Sequence, residues 1–213
     1  MADTAETPST LGTLAGLWRR KSLAVGGRAP FEDSDALWIQ LGAFFVDLRT
    51  PLGAGALSPP AAFSGRAQWR APRITFCRDL DLERQKASDE AELRLNGDTL
   101  IERGIYRAGD QPLPYAEVWL RERRGPAKGR VLEGRAAPQS RASGRLIELG
   151  ATAIAIIDAG PAGFSAVEFC RTKDEWRPTR RLGRPPPDLP RGDGLRDGTN
   201  WAGLYWAVVD HAA

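Results

Sequence analysis

The sequence predicts an all-β protein, built as an antiparallel β-barrel followed by a second, smaller β-barrel-like lobe. Short segments of strand length follow one another with Gly, Pro and Asn turns between them, which is typical of sandwiches and barrels. Several segments alternate apolar and polar residues with the period of two expected for a half-buried strand. No amphipathic segment exceeds about three helical turns, the length of an average globular helix.

The first half of the chain supplies most of these strands. The clearest hairpin begins with residues 91–95, in which Ala91, Leu93 and Leu95 alternate with polar residues. Asn96-Gly97 follows directly, and this pair favours a two-residue turn. Residues 51–60 predict a loop. Residues 80–91 have a helical composition with poor apolar spacing and predict a short helical turn. The predicted strands are residues 17–25, 36–41, 43–48, 68–70, 74–80, 91–95, 99–105 and 115–123.

A basic stretch over residues 121–130 separates the two halves. Residues 177–198 are rich in Pro, Gly and Arg and predict a loop. The predicted organisation is a disordered tail over 1–13, a first barrel over 14–125 and a second β lobe over 126–213. One continuous barrel over 14–213 is the alternative. The strands predicted beyond the basic stretch are residues 130–136, 145–149, 151–158, 164–171 and 201–210.

The start of the first strand, Gly16-Leu17-Trp18, resembles the Gly-x-Trp start of lipocalins and other calycins. A longer series is similar to the calycin-like family typified by a fungal casein-kinase-interacting protein, and the similarity covers residues 16–122. The resemblance implies a calycin-like (lipocalin-like) barrel, two β-barrel-like lobes and no assigned activity. The matching segments are Trp18-Arg19-Arg20-Lys21-Ser22, Leu37-Trp38-Ile39-Gln40, Phe45-Val46-Asp47-Leu48-Arg49-x-Pro51, Leu100-Ile101-Glu102-Arg103-Gly104 and Tyr115-Ala116-Glu117-Val118-Trp119.

Composition limits the classes of partner. The formal net charge is +3, and arginine accounts for 26 of the 30 basic residues, a skew typical of a bacterial genome, so the fungal kinase partner is not carried over. The basic region 121–145 lacks the interleaved aromatic residues that bind single-stranded nucleic acid, and we expect no nucleic-acid partner.

The sequence also predicts where the protein resides. The N-terminus lacks the basic and apolar regions of a signal peptide. The longest apolar run, 150–157, is far shorter than the ~20 residues that span a bilayer. Two distant cysteines, Cys77 and Cys170, do not form a disulfide framework, so we expect free thiols. These features favour a cytoplasmic protein with no membrane partner.

Sequence motifs offer little chemistry. His211 is the only histidine, which excludes zinc sites built from several histidines. Gly163-Phe164-Ser165 falls short of a nucleophile elbow because Val167 stands where the motif needs Gly. Asp79, Asp81 and Glu83 are interpreted as a solvated strand end. We therefore expect no catalytic residue, no metal and no cofactor.

Polar residues inside apolar strands form the candidate site. Asp47 and Arg49 share one strand face with Phe45, and an inward-facing charge needs a partner because an unpaired buried charge is costly. We hypothesise that Arg49 lies inside or at the mouth of the barrel and pairs with Asp47, Glu102 or Glu117. The network would tie strands together or orient a ligand. Its candidate members are Trp38, Gln40, Asp47, Arg49, Glu102, Tyr115, Glu117 and Trp119.

Two classes of function follow from this interpretation. A non-catalytic protein would bind a small apolar ligand in a continuous cavity, or would act as an interaction module with a filled interior and an exposed apolar patch. The alternative is a small barrel enzyme in which a buried carboxylate such as Asp47 or Glu117 transfers a proton. The sequence leaves the oligomeric state open.

Overall fold

The protein is described by a computed structural model that covers residues 6–83, 88–108, 111–125, 128–138, 140–184, 186–191 and 194–212. Its strands form a closed antiparallel barrel and a second, open sheet, so the predicted all-β class is confirmed. Residues 84–87, at the centre of the predicted helical turn over 80–91, lie outside the described residues.

The barrel contains eight strands, each hydrogen-bonded to its neighbour in sequence, and the eighth closes onto the first. This up-and-down order is the architecture of lipocalin barrels. Residues 61–67, which carry many small side chains and were not predicted as a strand, form most of the fourth strand. The strands are β1 Gly16–Val25, β2 Ser34–Leu41, β3 Phe44–Pro51, β4 Ala61–Arg70, β5 Arg73–Asp81, β6 Ser88–Asn96, β7 Thr99–Ala108 and β8 Gln111–Arg124.

The second sheet has the strand order β13-β12-β11-β10-β9-β15-β14. The prediction of a loop over 177–198 is wrong for residues 177–183, because β13 continues to Gly183. An edge strand tolerates Pro178 and several arginines, since one of its sides has no strand partner. The strands are β9 Gly129–Arg135, β10 Ser143–Leu149, β11 Thr152–Asp158, β12 Phe164–Thr172, β13 Glu175–Gly183, β14 Asn200–Trp201 and β15 Leu204–Ala212.

The N-terminal segment closes one end of the barrel. A short helix, α1 Leu11–Leu14, buries Leu14, whose carbonyl accepts a hydrogen bond of 2.8 Å from the Trp18 indole. The Arg121 guanidinium stacks 4.3 Å from the Trp18 ring centroid. Glu6 pairs with Leu95 through two backbone hydrogen bonds. Part of residues 6–13 in the predicted disordered tail is therefore ordered by the Glu6 pairing and α1, and residues 1–5 lie outside the described part.

Among the described residues no helix lies at the opposite end of the barrel, which is called its open end below. Adjacent strands are antiparallel, so β1, β3, β5 and β7 all run away from α1. The final residues of these four strands lie at the open end, as does the start of β8. Residues near the ends of β3 and β7 therefore surround the same mouth.

The barrel and the second sheet share an apolar core. Outward-facing residues of β2 and β3, such as Leu37 and Val46, are fully buried and belong to one cluster with Ile147 and Ile154 of the second sheet. At the edge of this core, buried Arg145 forms two hydrogen bonds to Asp79, of 2.6 and 2.8 Å, and one to Glu133. Asp79 is therefore an interlayer partner as well as a strand end.

We expect replacement of Ile154 by alanine to destabilise the barrel and the second sheet together. Ile154 is fully buried between the two layers, and such a truncation costs ~2–5 kcal/mol. Urea unfolding followed by far-UV circular dichroism and by tryptophan fluorescence should show one shifted transition. Val209→Ala, at an exposed position of β15, is the control. Separate transitions for the two probes would contradict a shared core.

Candidate functional site

The inward face of β3 carries an apolar residue at depth and charges toward the open end. Phe45 is fully buried, Asp47 is buried, and the Arg49 side chain keeps 23% of its surface exposed. Since β3 runs toward the open end, Arg49 lies between the interior and the mouth. The alternation in the sequence thus corresponds to the inward face in the structure.

Arg49 holds two carboxylates at once. Its Nε and Nη2 each donate to Asp47 over 2.9 Å, which is a bidentate pair, and its Nη1 donates to Glu117 Oε1 over 3.0 Å. The guanidinium also lies 5.5 Å from the Phe63 ring centroid and 5.6 Å from that of Trp119. Burial alone would lower the pKa of Arg49, but the charges of Asp47 and Glu117 raise it well above its ordinary value. Arg49 is therefore a permanent cation in this site.

Arg20 is a second buried guanidinium that the sequence analysis did not include. Its Nε and Nη2 donate to the two oxygens of Glu32 over 2.9 and 3.0 Å. Its Nη1 donates to Glu117 Oε1 over 2.5 Å, and Nη2 also reaches Ser34. Its position two residues after Trp18 is a signal that could have identified it. Glu117 is therefore shared between Arg20 and Arg49.

Glu102 occupies a less charged part of the same network. The Tyr115 hydroxyl donates to Glu102 Oε1 over 2.8 Å, and the Trp119 indole donates to Oε2 over 3.1 Å. Burial and the negative charge of Glu117 raise the pKa of Glu102 to about 8. Burial also raises the pKa of the Tyr115 hydroxyl. At neutral pH Glu102 therefore carries a proton, and Tyr115 remains a hydrogen-bond donor.

Trp38 and Gln40 lie apart from these charges. The Trp38 ring stacks with Trp18 at a centroid distance of 5.8 Å and meets Trp119 edge-on. Gln40 donates to the carbonyl of Gly42 over 2.8 Å. The structure thus brings Asp47, Arg49, Glu102, Tyr115, Glu117 and Trp119 into one network, and places Trp38 and Gln40 toward the closed end.

Aromatic side chains fill the barrel below this network. Phe76 packs edge-on against Trp38 and Phe45, at ring centroid distances of 5.7 and 5.0 Å. Two shallow clefts lie on the surface, outside the barrel interior. One of about 410 Å³ follows the N-terminal segment near Arg124, and one of about 180 Å³ separates β5 from β9 and β10 beside Arg145.

The described residues contain no group of three or more His, Cys, Asp or Glu side chains that could hold a metal ion. Over the same ranges, no helix has the length and apolar character needed to cross a membrane.

Comparison with known proteins establishes a similarity of fold. No family model matches the chain, and no curated protein matches it. The crystal structure of an uncharacterized protein of Saccharomyces cerevisiae, YLR301w, superposes with a TM-score of 0.70 at 15% sequence identity. The match covers 92% of this chain and 98% of the yeast chain, so it includes both the barrel and the second sheet.

We expect Arg49→Met to lower the free energy of unfolding by ~3–5 kcal/mol, the cost of breaking a buried ion pair. Asp47 would lose its bidentate partner, whereas Glu117 would keep Arg20. Asp47→Leu combined with Arg49→Met should recover much of the loss, since it leaves no unpaired charge. Urea titration of the singles and the double measures this.

Arg73→Met is the matched control, because the Arg73 side chain is 65% exposed and meets Glu92 only at 3.8 Å. It should change stability by less than ~0.5 kcal/mol, as surface substitutions do. An equally small effect of Arg49→Met would show that Arg49 is solvated and that the network does not stabilise the barrel.

Proposed function

We propose that this protein is a non-catalytic interaction module that binds a protein partner at the open rim of its barrel. One observation carries the proposal, namely that large apolar side chains are exposed around the open end of a barrel whose interior is filled. Exposed apolar side chains that are grouped at one end of a folded protein mark an interaction surface more often than scattered ones do.

Two parts of the rim carry these side chains. Leu52 and Leu57 lie in the chain after β3, and 84% of Leu57 is exposed. Ile105 and Tyr106 lie near the end of β7, and 53% of Tyr106 is exposed. Because β3 and β7 end at the same side of the barrel, the two groups flank one mouth.

The loop after β3 is held in place by Asp33. The Asp33 carboxylate accepts hydrogen bonds from the backbone of Leu57 and Ser58, over 2.7 and 2.8 Å. Its carbonyl accepts another from Leu52 over 2.7 Å. A loop ordered before binding loses less conformational entropy when a partner docks, and this supports a binding role for its apolar side chains.

A small apolar ligand is the alternative within the same class. It would have to enter past Arg49 and displace interlocked aromatic rings, because Phe45, Phe76 and Trp38 already pack against one another. The eight-strand up-and-down order supports our proposal that the chain is calycin-like. In calycin-like barrels that bind ligands the interior holds the ligand, so the filled interior favours the rim.

A barrel enzyme remains the alternative from a different class. The observation in its favour is Glu102, whose pKa near 8 suits proton transfer at neutral pH. Glu102 is buried and its oxygens accept hydrogen bonds from Tyr115 and Trp119. A substrate would need access to it through the mouth, beside Arg49. We therefore place the interaction module first.

The location that fits the proposal is the cytoplasm, where thiols stay reduced. Cys77 and Cys170 are both unpaired. A cytoplasmic extract of the source cells is accordingly the place to search for the partner.

We expect a protein partner to be retained by the wild-type chain and lost by the rim variant Leu57→Ser with Tyr106→Thr. The partner is captured from extract, identified by mass spectrometry, and its affinity for each variant is measured by calorimetry. The rim variant should weaken binding at least ~10-fold, because interface hot spots each contribute ~2 kcal/mol or more.

Tyr205→Thr is the matched control, since 60% of Tyr205 is exposed on β15 of the second sheet. It should bind the partner as the wild type does. If the rim variant binds the partner as tightly as the wild type does, the rim is not the binding site. A small molecule found by native mass spectrometry in the purified protein, with no protein partner, would favour the ligand alternative.

A further inference from the structure

Two carboxyl side chains face each other across β7 and β8 inside the barrel. Glu102 and Glu117 are directly paired in the antiparallel register, and only 6% and 3% of their surfaces are exposed. Residues paired in this way on one face have Cβ atoms ~4.5–5.5 Å apart. Two buried carboxylates at such a separation repel each other strongly, and a shared proton removes the repulsion.

The hydrogen bonds of Glu117 leave one of its oxygens unsatisfied. Oε1 accepts from both Arg20 and Arg49. Oε2 is shielded from solvent and has no hydrogen-bond partner among the described residues. A buried acceptor without a donor is costly. The carboxyl group of Glu102, which lies opposite, can donate to it only when protonated.

The surroundings of Glu102 favour its protonated form. Its two oxygens accept from Tyr115 and Trp119, and in the described part of the chain it forms no ion pair with Lys or Arg. Each oxygen of a carboxyl group can accept and the protonated one can also donate. A protonated Glu102 can therefore accept from Tyr115 and Trp119 and still donate to Glu117 Oε2.

We propose that Glu102 and Glu117 form a carboxyl pair that binds one proton, and that this proton is a pH-responsive element of the barrel interior. Both carboxyl groups are buried below the mouth and contribute nothing to the exposed apolar side chains of the rim. The ligand is the proton itself, which passes to water when Glu102 ionises.

Release of the proton from Glu102 changes the electrostatic environment of the groups that face the pair. Arg20 of β1 with its partner Glu32, Asp47 and Arg49 of β3, and Tyr115 of β8 surround the two carboxyls. An ionised Glu102 repels Glu117 and attracts Arg49, whose Nη1 lies 3.0 Å from Glu117. Arg49 is thereby drawn inward, away from the mouth.

The raised pKa of Glu102 sets the direction of the effect on stability. In the unfolded chain an ordinary glutamate loses its proton near pH 4.3, whereas folded Glu102 keeps it until about pH 8. The folded state therefore binds more protons between these values, and stability falls as the pH rises through this window. Below it, Glu102 is protonated in both states and has no such effect.

The test is a pH titration of the Trp119 indole ¹⁵N–¹H resonance, because this group donates to Glu102 Oε2. Trp119→Phe identifies the resonance among the seven tryptophans. We expect a titration with a midpoint near pH 8. In Glu102→Gln, whose neutral amide can donate to Glu117, the titration should disappear. Glu92→Gln, at an exposed position of the neighbouring strand β6, should leave the midpoint unchanged.

Two further variants shift the midpoint in opposite directions. Tyr115→Phe removes a donor that stabilises the ionised Glu102 and should raise the midpoint. Glu117→Gln removes the repelling charge and should lower it. The urea midpoint of Glu102→Gln should match that of the wild type near pH 4 and exceed it by a growing margin as the pH rises to 9.

Three results would overturn the proposal. The Trp119 resonance could stay constant between pH 6 and pH 9.5, or it could titrate near pH 4.5 as an ordinary glutamate would. Its titration could also persist in Glu102→Gln, which would assign the proton to another group. If Glu117→Gln fails to fold because Arg20 and Arg49 lose their shared partner, Tyr115→Phe still decides the direction.

Discussion

Strands β2 and β3 are buried on both faces, and the rest of the structure depends on this constraint. Successive side chains of a strand point to opposite sides, so Leu37 and Val46 must be covered from outside the barrel while Trp38 and Phe45 fill it. The second sheet supplies the outer cover through Ile147 and Ile154. The two β layers are therefore parts of one core, and Arg145 with Asp79 closes its edge.

The alternation of side-chain direction also accounts for the charged network. A polar residue on the inward face of a barrel strand lies in the interior of the barrel, where an ionised side chain is stable only beside an opposite charge. Arg20 and Arg49 meet this requirement by sharing Glu117, with Glu32 and Asp47 as their separate partners. Well-packed apolar residues can often replace a buried ion pair without loss of stability. Stability alone therefore does not require the buried ion pairs of this barrel, and their position toward the open end favours a further role.

Sequence reasoning found the inward faces of β3 and β8 because a period of two fixes side-chain direction along a strand. It missed Arg20 because Arg19-Arg20-Lys21 is a continuous basic run, and a β-bulge lies between Arg20 and Ser22. It missed β13 because Pro178 and several arginines give this edge strand the composition of a loop. The direct pairing of Glu102 with Glu117 depends on the register of β7 and β8, and the unpaired Oε2 depends on side-chain placement. Neither property is encoded in the local pattern of apolar and polar residues.

Arg49 joins the parts of the molecule that the two proposals concern. Its side chain is partly exposed at the mouth, and its Nη1 contacts Glu117, which lies opposite Glu102. A partner on the rim would meet Arg49 as the nearest charge of the interior network, next to the Phe63 ring on which it stacks. A change of charge at Glu102 would act on the same guanidinium from below. Coulombic coupling over such short distances is strong in a dry interior, so the rim and the carboxyl pair, although argued from different residues, would influence each other through Arg49.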